Sequence, residues 1–270
     1  MRSHTHEASD PQRSTTPLVG KVALVTGAGI RLGRAIAEAL AARGCRMLLH
    51  CNSSRTKAGE LADHIRREGG EAVVLRADLS KPGAAKKLAR AAIKAFGHID
   101  ILVNSAAIFW PTTLDEMDES HLDAFYAVNL KAPFALSTEI GRHMKLRAEA
   151  MAHDAPEKGA GAAILNMACL SALRAWKTHV PYSISKAGVL SMTQGFAKLL
   201  APHVRVNAIA PGSVLPPDDM SDDAVARLVE RIPLKKIGSA EDIVDAALYL
   251  LSAPFVTGQI LVVDGGRSIH

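Results

Sequence analysis

The 270-residue sequence predicts an α/β fold: a doubly wound parallel sheet of about seven strands, covered by helices on both faces in three layers. Three observations predict it. Short β-branched and apolar runs alternate with longer helical patterns from residue 21 onward. The first run stops at a glycine-rich turn that opens directly into a helix. No linker or internal repeat divides the chain after residue 18, so 19–270 reads as one domain behind a polar, disordered tail at 1–18.

Residues 21–26, KVALVT, make the first strand, and GAGIRLG turns the chain into the helical pattern RAIAEALAARG. Gly27, Gly29 and Gly33 allow a sharp turn and let backbone N–H groups and a helix N-terminus approach a phosphate. Residues 46–50, RMLLH, make the second strand, whose exit is where a dinucleotide-binding sheet reads the adenosine ribose. No acid stands there. His50, Cys51, Asn52, Ser53, Ser54 and Arg55 offer hydroxyls, an amide and a cation, and Arg31 is within reach of the same place. A 2′-phosphorylated ribose suits such a loop, hence NADP(H) over NAD(H); the alternative is an ordinary polar loop with a solvated Arg31.

A helical pattern over 56–69 leads to a third strand, EAVVLRADLS, with Asp78 and Leu79 at its exit. Asp78 is placed to bond an adenine amino group, or else Asp78 or Ser80 caps the helix that opens near Pro82. Residues 84–96 form that helix, and 99–103 the fourth strand, followed by NSAAIFWP. One long helix is expected over 118–144, capped by Ser120 and carrying Asn129, with a kink or break at Pro133 that frees carbonyls near Asn129. The composition of 147–161 is turn-like and predicts an exposed extension.

The fifth strand, 162–167, delivers Ala168, Cys169, Leu170 and Ser171 into a loop before the helix PYSISKAGVL. Tyr182 and Lys186 lie four residues apart on that helix and share a face. A phenol with a pKa of about 10 moves protons poorly at neutral pH, and a nearby ammonium lowers that value. By itself the spacing also fits a plain surface helix. Residues 203–208 make the sixth strand, ending in PGSVLPPDD, where Pro211 and Gly212 mark a turn at the carboxyl end of the sheet. A short helix or lid is expected over 218–231, a helix opening at Ser239 with acids in its first turn, and a last strand over 259–264.

Hydrophobic residues at 48% and charged residues at 22% are ordinary globular usage. The net charge of +5 is dispersed, with no basic stripe interleaved with aromatics, which argues against nucleic acid as a partner. No run is long enough to span a membrane, and the tail lacks the apolar core of a signal peptide. Cys45, Cys51 and Cys169 have neither metal-ligand nor paired spacing, and His4 and His6 read as solvated, so no metal is expected and the cytoplasm is the simplest compartment.

Taken in order, TGAGIRLG, NSAA after the fourth strand, Asn129, YSISK, Pro211–Gly212 and VTGQILVVDGG resemble the short-chain dehydrogenase/reductase family over 21–266. The resemblance implies a Rossmann-type fold and hydride transfer between NADP(H) and a small-molecule substrate. It implies cofactor contacts at Gly27, Arg31, Leu32, Gly33, Asp78, Leu79, Asn104, Ser105, Ala106 and the turn Pro211, Gly212, Ser213, Val214. Tyr182 would exchange the proton, Lys186 would hold the nicotinamide ribose and lower the Tyr182 pKa, and Asn129 would hold a water linking Lys186 to solvent. A homodimer or homotetramer is implied too.

Arg31, LLHCNSS, IFWPTTL and LAPHVRVNAIAPGSVLPPDD look most like the pteridine reductase branch, in which Phe109 matches the residue that stacks on the pterin; a hydrophobic plug is the other reading of Phe109. Two departures stand out. Cys169 occupies the place of the usual substrate-holding Ser or Asp, and a thiol is a weak donor. Ser105 and Ala107 replace residues of the usual NNAG and pterin-facing pattern. The implied substrate is a pterin-like heterocycle; the alternatives are a ketone or β-ketoacyl thioester, or a non-catalytic NADPH sensor.

Overall fold

The computed structural model describes residues 18–154, 161–216 and 220–269. Strands β1 (Val22–Thr26), β2 (Arg46–Cys51), β3 (Ala72–Arg76), β4 (Ile101–Asn104), β5 (Ala162–Met167), β6 (Val204–Pro211) and β7 (Ile260–Val263) form one sheet in the order β3-β2-β1-β4-β5-β6-β7. Every neighbouring pair is parallel. The chain moves outward from β1 in one direction and then returns to β4 on its other side, which opens a crevice at the carboxyl ends of β1 and β4.

β1 is buried along its whole length because helices cover both faces. Val22 and Leu24 pack with α3 (Ala84–Phe96), α5 (Ala132–Asp154) and α6 (Val180–Leu200) through Leu88, Ile140 and Phe196. Ala23 and Val25 face the opposite layer of α1 (Arg31–Ala41), α2 (Arg55–Arg67) and α8 (Ala240–Ser252) through Ile36, Leu61 and Ile243. Alternation along a strand thus feeds two cores, one per face.

Several boundaries differ from the sequence expectations, each for a local reason. Leu18, expected in the tail, is buried in the second core, and its carbonyl accepts from the Lys21 N–H; residues 1–17, with His4 and His6, lie outside the described residues. The helix near Asn129 is capped by Asp118, not Ser120: Asp118 accepts the His121 N–H at 3.1 Å, while Ser120 donates its hydroxyl to Asp118 at 2.6 Å. It comprises α4 (Glu119–Tyr126), a π turn over Ala127–Lys131, and α5. Pro133 lies four residues after Asn129 and has no N–H for the Asn129 carbonyl, which accounts for the expected break.

The helix then continues through the segment read as an exposed extension, as far as Asp154, while 155–160 lie outside the described residues. Neither Asp78 nor Ser80 caps α3, whose N-cap is Gly83 with φ +76°; Asp78 instead accepts the Ser80 N–H at 3.0 Å and its hydroxyl at 2.7 Å. In the region read as a lid, Ser221 caps α7 (Asp222–Glu230), and 217–219 lie outside the described residues. Ser239 and Asp242 form a reciprocal capping box on α8, as its sequence suggested.

Candidate active site

A cleft of about 1170 Å³ runs along the carboxyl ends of the strands. The turn after β1 forms its floor. Thr26 accepts the Ser105 and Ala106 N–H groups at 2.9 and 3.0 Å, tying β1 to the loop after β4. Gly27 has φ +69°, and a Cβ there would lie 3.0 Å from Ala106 Cα; a Cβ on Gly33 would lie 2.3 Å from the Gly27 carbonyl oxygen. Both glycines are therefore required by close backbone approach. Ile30, Arg31, Leu32 and Gly33 bring the start of α1 to the cleft, a helix N-terminus that fits a dinucleotide pyrophosphate.

His50 lines the cleft, but both its ring nitrogens are engaged within the protein: Nδ1 accepts the Gly27 N–H at 3.3 Å and Nε2 donates to the Ala77 carbonyl at 3.0 Å. Burial lowers its pKa, so it is a neutral brace for the turn. Asn52, Ser53 and Ser54 line the cleft beyond it, with Asp78 and Leu79 from the loop after β3. Arg31 lines it too, with φ +53°, a backbone region that non-glycine residues seldom occupy. Its guanidinium donates to the carbonyl of Leu215, itself at φ +51°, and so bridges to the loop after β6.

Tyr182 and Lys186 are buried on one face of α6, as their spacing predicted. Lys186 Nζ donates to the Met167 carbonyl at 2.7 Å and sits 5.8 Å from the Tyr182 ring centre. Burial lowers the Lys186 pKa to about 8. Tyr182 moves opposite to expectation. Burial, followed by the charge and hydrogen bond of the neighbouring Cys169, raises its phenol well above the ordinary value.

Cys169 is buried against Tyr182 and Phe125, and its sulfur accepts the Ser171 N–H at 3.4 Å. Ser171 is buried below the loop and does not line the cleft. Phe109 is half exposed, stacks on His179 at 4.5 Å and meets the Tyr182 ring edge-on at 4.8 Å. Its ring is thus neither free on all sides nor a buried plug. Pro211, Gly212, Ser213 and Val214 form the facing wall.

Two expected residues stand behind the cleft. Asn104 donates to Asn166 at 2.8 Å and Ser137 at 3.2 Å in a buried network between β4 and β5. Asn129 accepts the Ile108 N–H at 2.9 Å and donates to the Ile108 carbonyl at 3.1 Å and Ser185 at 3.2 Å. Its side chain is therefore committed to holding the loop after β4 against α6.

Sequence reasoning missed Trp176, His179 and Arg267, which all line the cleft. The first two lie just before Tyr182 in chain order and were legible as aromatic neighbours. Arg267, directly after the closing glycine pair, carried no local signal. Among the described residues, no three His, Cys, Asp or Glu side chains are grouped to hold a metal, and no helix is long and apolar enough to cross a membrane.

The family model described as "Enoyl-(Acyl carrier protein) reductase" matches residues 27–268. The chain is 35% identical to L-rhamnose 1-dehydrogenase (NAD(P)(+)) of Azotobacter vinelandii, covering 94% of this chain and 98% of that protein. It is 32% identical to the 3-oxoacyl-[acyl-carrier-protein] reductase FabG of Staphylococcus epidermidis, covering 92% and 99%. The crystal structure of FolM alternative dihydrofolate reductase 1 from Brucella canis, complexed with NADP, superposes with a TM-score of 0.83 at 30% identity over 94% of this chain and 96% of that one. With the seven-stranded sheet and the glycine-floored cleft, these matches make the chain a member of the short-chain dehydrogenase/reductase family, an oxidoreductase that uses NADP(H).

Proposed function

We propose that the protein reduces a pterin-like heterocycle with NADPH, in a single catalytic domain that begins near residue 19. The observation that carries this reading is the half-exposed Phe109 ring set edge-on to Tyr182 at 4.8 Å, an apolar surface for a flat molecule beside the proton donor. The likeness to a dihydrofolate reductase complexed with NADP supports it.

Gly27, Leu32, Gly33, Asn52, Ser53, Ser54, Asp78, Leu79, Ser105, Ala106 and the 211–214 turn would hold the dinucleotide, with Lys186 at its nicotinamide end and Asn104 as a brace behind. Bound there, NADPH supplies the hydride. Tyr182 holds its proton at neutral pH, since burial raises its pKa, and donates from Oη to the nitrogen or oxygen beside the reduced carbon. Cys169 lies next to that hydroxyl and contributes a weak S–H donor to the substrate. Phe125 and Tyr182 exclude water from its inner side.

Assembly into a homodimer or homotetramer through α5 and α6 belongs to the same proposal, supported by the exposed Phe134 and Leu199 on those helices. A reducing cytoplasm suits three free, buried cysteines.

The test is NADPH oxidation with dihydrobiopterin, dihydrofolate and an acetoacetyl thioester, and NADP+ reduction with L-rhamnose, under matched conditions. Turnover of a heterocycle at least about tenfold above the others in kcat/KM is the expected result. Preference for the thioester would replace the reading with a ketoacyl reductase, and silence with all four despite tight NADPH binding would replace it with a sensor.

A further inference from the structure

Among the described residues, Arg267 is the one guanidinium that lines the cleft on the Tyr182 side, and neither the hydride nor the proton transfer uses it. A 3-10 turn at Arg267–Ile269 returns it to the cleft, where Nη1 donates to Ser213 Oγ at 2.6 Å and the cation sits 5.4 Å from the Trp176 ring centre. A guanidinium has five N–H donors, and this is the only side-chain hydrogen bond it makes among the described residues. No carboxylate of the described residues lies within ion-pair distance of it, and Asp264, the nearest acid in sequence, accepts the Gly266 N–H at 2.9 Å instead. Burial, then the like charge of Arg231, lower its pKa, and Cys169 and Asp264 partly offset this, so the half-buried guanidinium has, among the described residues, no carboxylate paired directly with it.

The rings between Arg267 and Tyr182 form a continuous wall. Trp176 meets Phe109 edge-on at 6.3 Å, and Phe109 meets Tyr182 at 4.8 Å. We propose that Arg267 binds a carboxylate of the substrate, so that the cleft selects an elongated molecule with its reducible ring at Tyr182, a flat middle along Phe109 and Trp176, and an anionic end on the guanidinium. The inference rests on the heterocycle reading and narrows it to the carboxylated, dihydrofolate type over an uncharged dihydropterin. A planar fork with donors not taken by Ser213 suits a carboxylate bidentately, and the indole ring under the guanidinium keeps water from one side of the pair.

The test uses binding, so that it does not depend on which substrate turns over. NADPH-saturated protein is titrated with 4-aminobenzoylglutamate, its neutral diamide, and phosphopantetheine, following tryptophan fluorescence. Wild type should bind the acid about tenfold or more tightly than the diamide, the size expected of a charge-assisted hydrogen bond. Arg267→Gln should bring the two to parity and Arg267→Lys should retain part of the preference, with cofactor fluorescence showing that both variants are folded. Parity in wild type, a preference that survives Arg267→Gln, or equal binding of phosphopantetheine would each overturn the proposal. A preserved acid preference with no turnover of any heterocycle would uphold the carboxylate site and remove the heterocycle reading alone.

Discussion

The Lys186 ammonium donates to the Met167 carbonyl at 2.7 Å and lies 5.8 Å from the centre of the Tyr182 ring, so the two residues share a helix face without a direct hydrogen bond between them. Lys186 is a buried cation held by one carbonyl, and its pKa falls from the ordinary Lys range to about 8. The folded state therefore binds this proton less well than the unfolded chain does. The destabilisation is fully present below about pH 8 and vanishes as pH rises past the ordinary Lys value. Lys186→Met should be more stable than wild type at pH 7 without cofactor, by on the order of 3 kcal/mol, with the gap closing toward pH 10. Urea unfolding at several pH values checks this; a gap that widens with pH would contradict the burial argument.

Tyr182 is the only phenol among the described residues that lines the cleft. Tyr182→Phe keeps the ring packed against Phe125 and Cys169 and removes the proton. The expected result is a loss in kcat of about 10²–10⁴, the usual worth of a positioned general acid, with NADPH affinity within a few-fold of wild type. Full activity in the variant would reassign the donor.

Cys169 places a thiol where a stronger donor would serve, next to Tyr182 and with its sulfur accepting the Ser171 N–H. Cys169→Ser supplies an O–H donor of similar size. A several-fold rise in kcat/KM for the reduced heterocycle is expected, and Cys169→Ala should lower it. Steady-state rates of the three proteins decide the matter.

Gly33 admits no side chain, since a Cβ would meet the Gly27 carbonyl at 2.3 Å and the Ser105 hydroxyl at 3.1 Å. The first contact is backbone and has no rotamer to yield. Gly33→Ala should cost about 1–3 kcal/mol, as overpacking does, and should weaken NADPH binding more than tenfold. A thermal melt and a fluorescence titration read the two effects separately.

Arg31 tests the choice of nucleotide. It bridges to the Leu215 carbonyl through one guanidinium nitrogen and lines the same cleft as Ser53 and Ser54. NADPH should bind better than NADH, and Arg31→Ala should narrow that preference. An unchanged ratio of the two dissociation constants would leave the serine loop alone responsible for it.

Much of this molecule was legible as periodicity and spacing. The runs KVALVT and RMLLH, with their flanking turns, specify β1 and β2 because a strand buried on both faces must be apolar throughout. Gly27, Gly33, Tyr182 and Lys186 were legible because a close turn and a shared helix face are local geometry, decided within a few residues. Pro133 marked the break after Asn129 for the same reason: a missing N–H acts within one turn.

What tertiary structure alone decided is everything that depends on the partner a side chain finds. His50 could be read as a cleft residue from its place after a strand, yet only the fold shows Gly27 and Ala77 taking both ring nitrogens. The rise in the Tyr182 pKa comes from desolvation and then from Cys169, both properties of the packed site that the Tyr–Lys spacing along the helix does not carry. Arg267 stands far along the chain from Trp176 and Ser213, and it reaches them only because β7 pairs with β6 and the closing turn folds back over the cleft. Sequence determined the sheet, the turn and the Tyr182–Lys186 helix face through short-range sterics; burial and long-range contact decided their charge states and the company they keep.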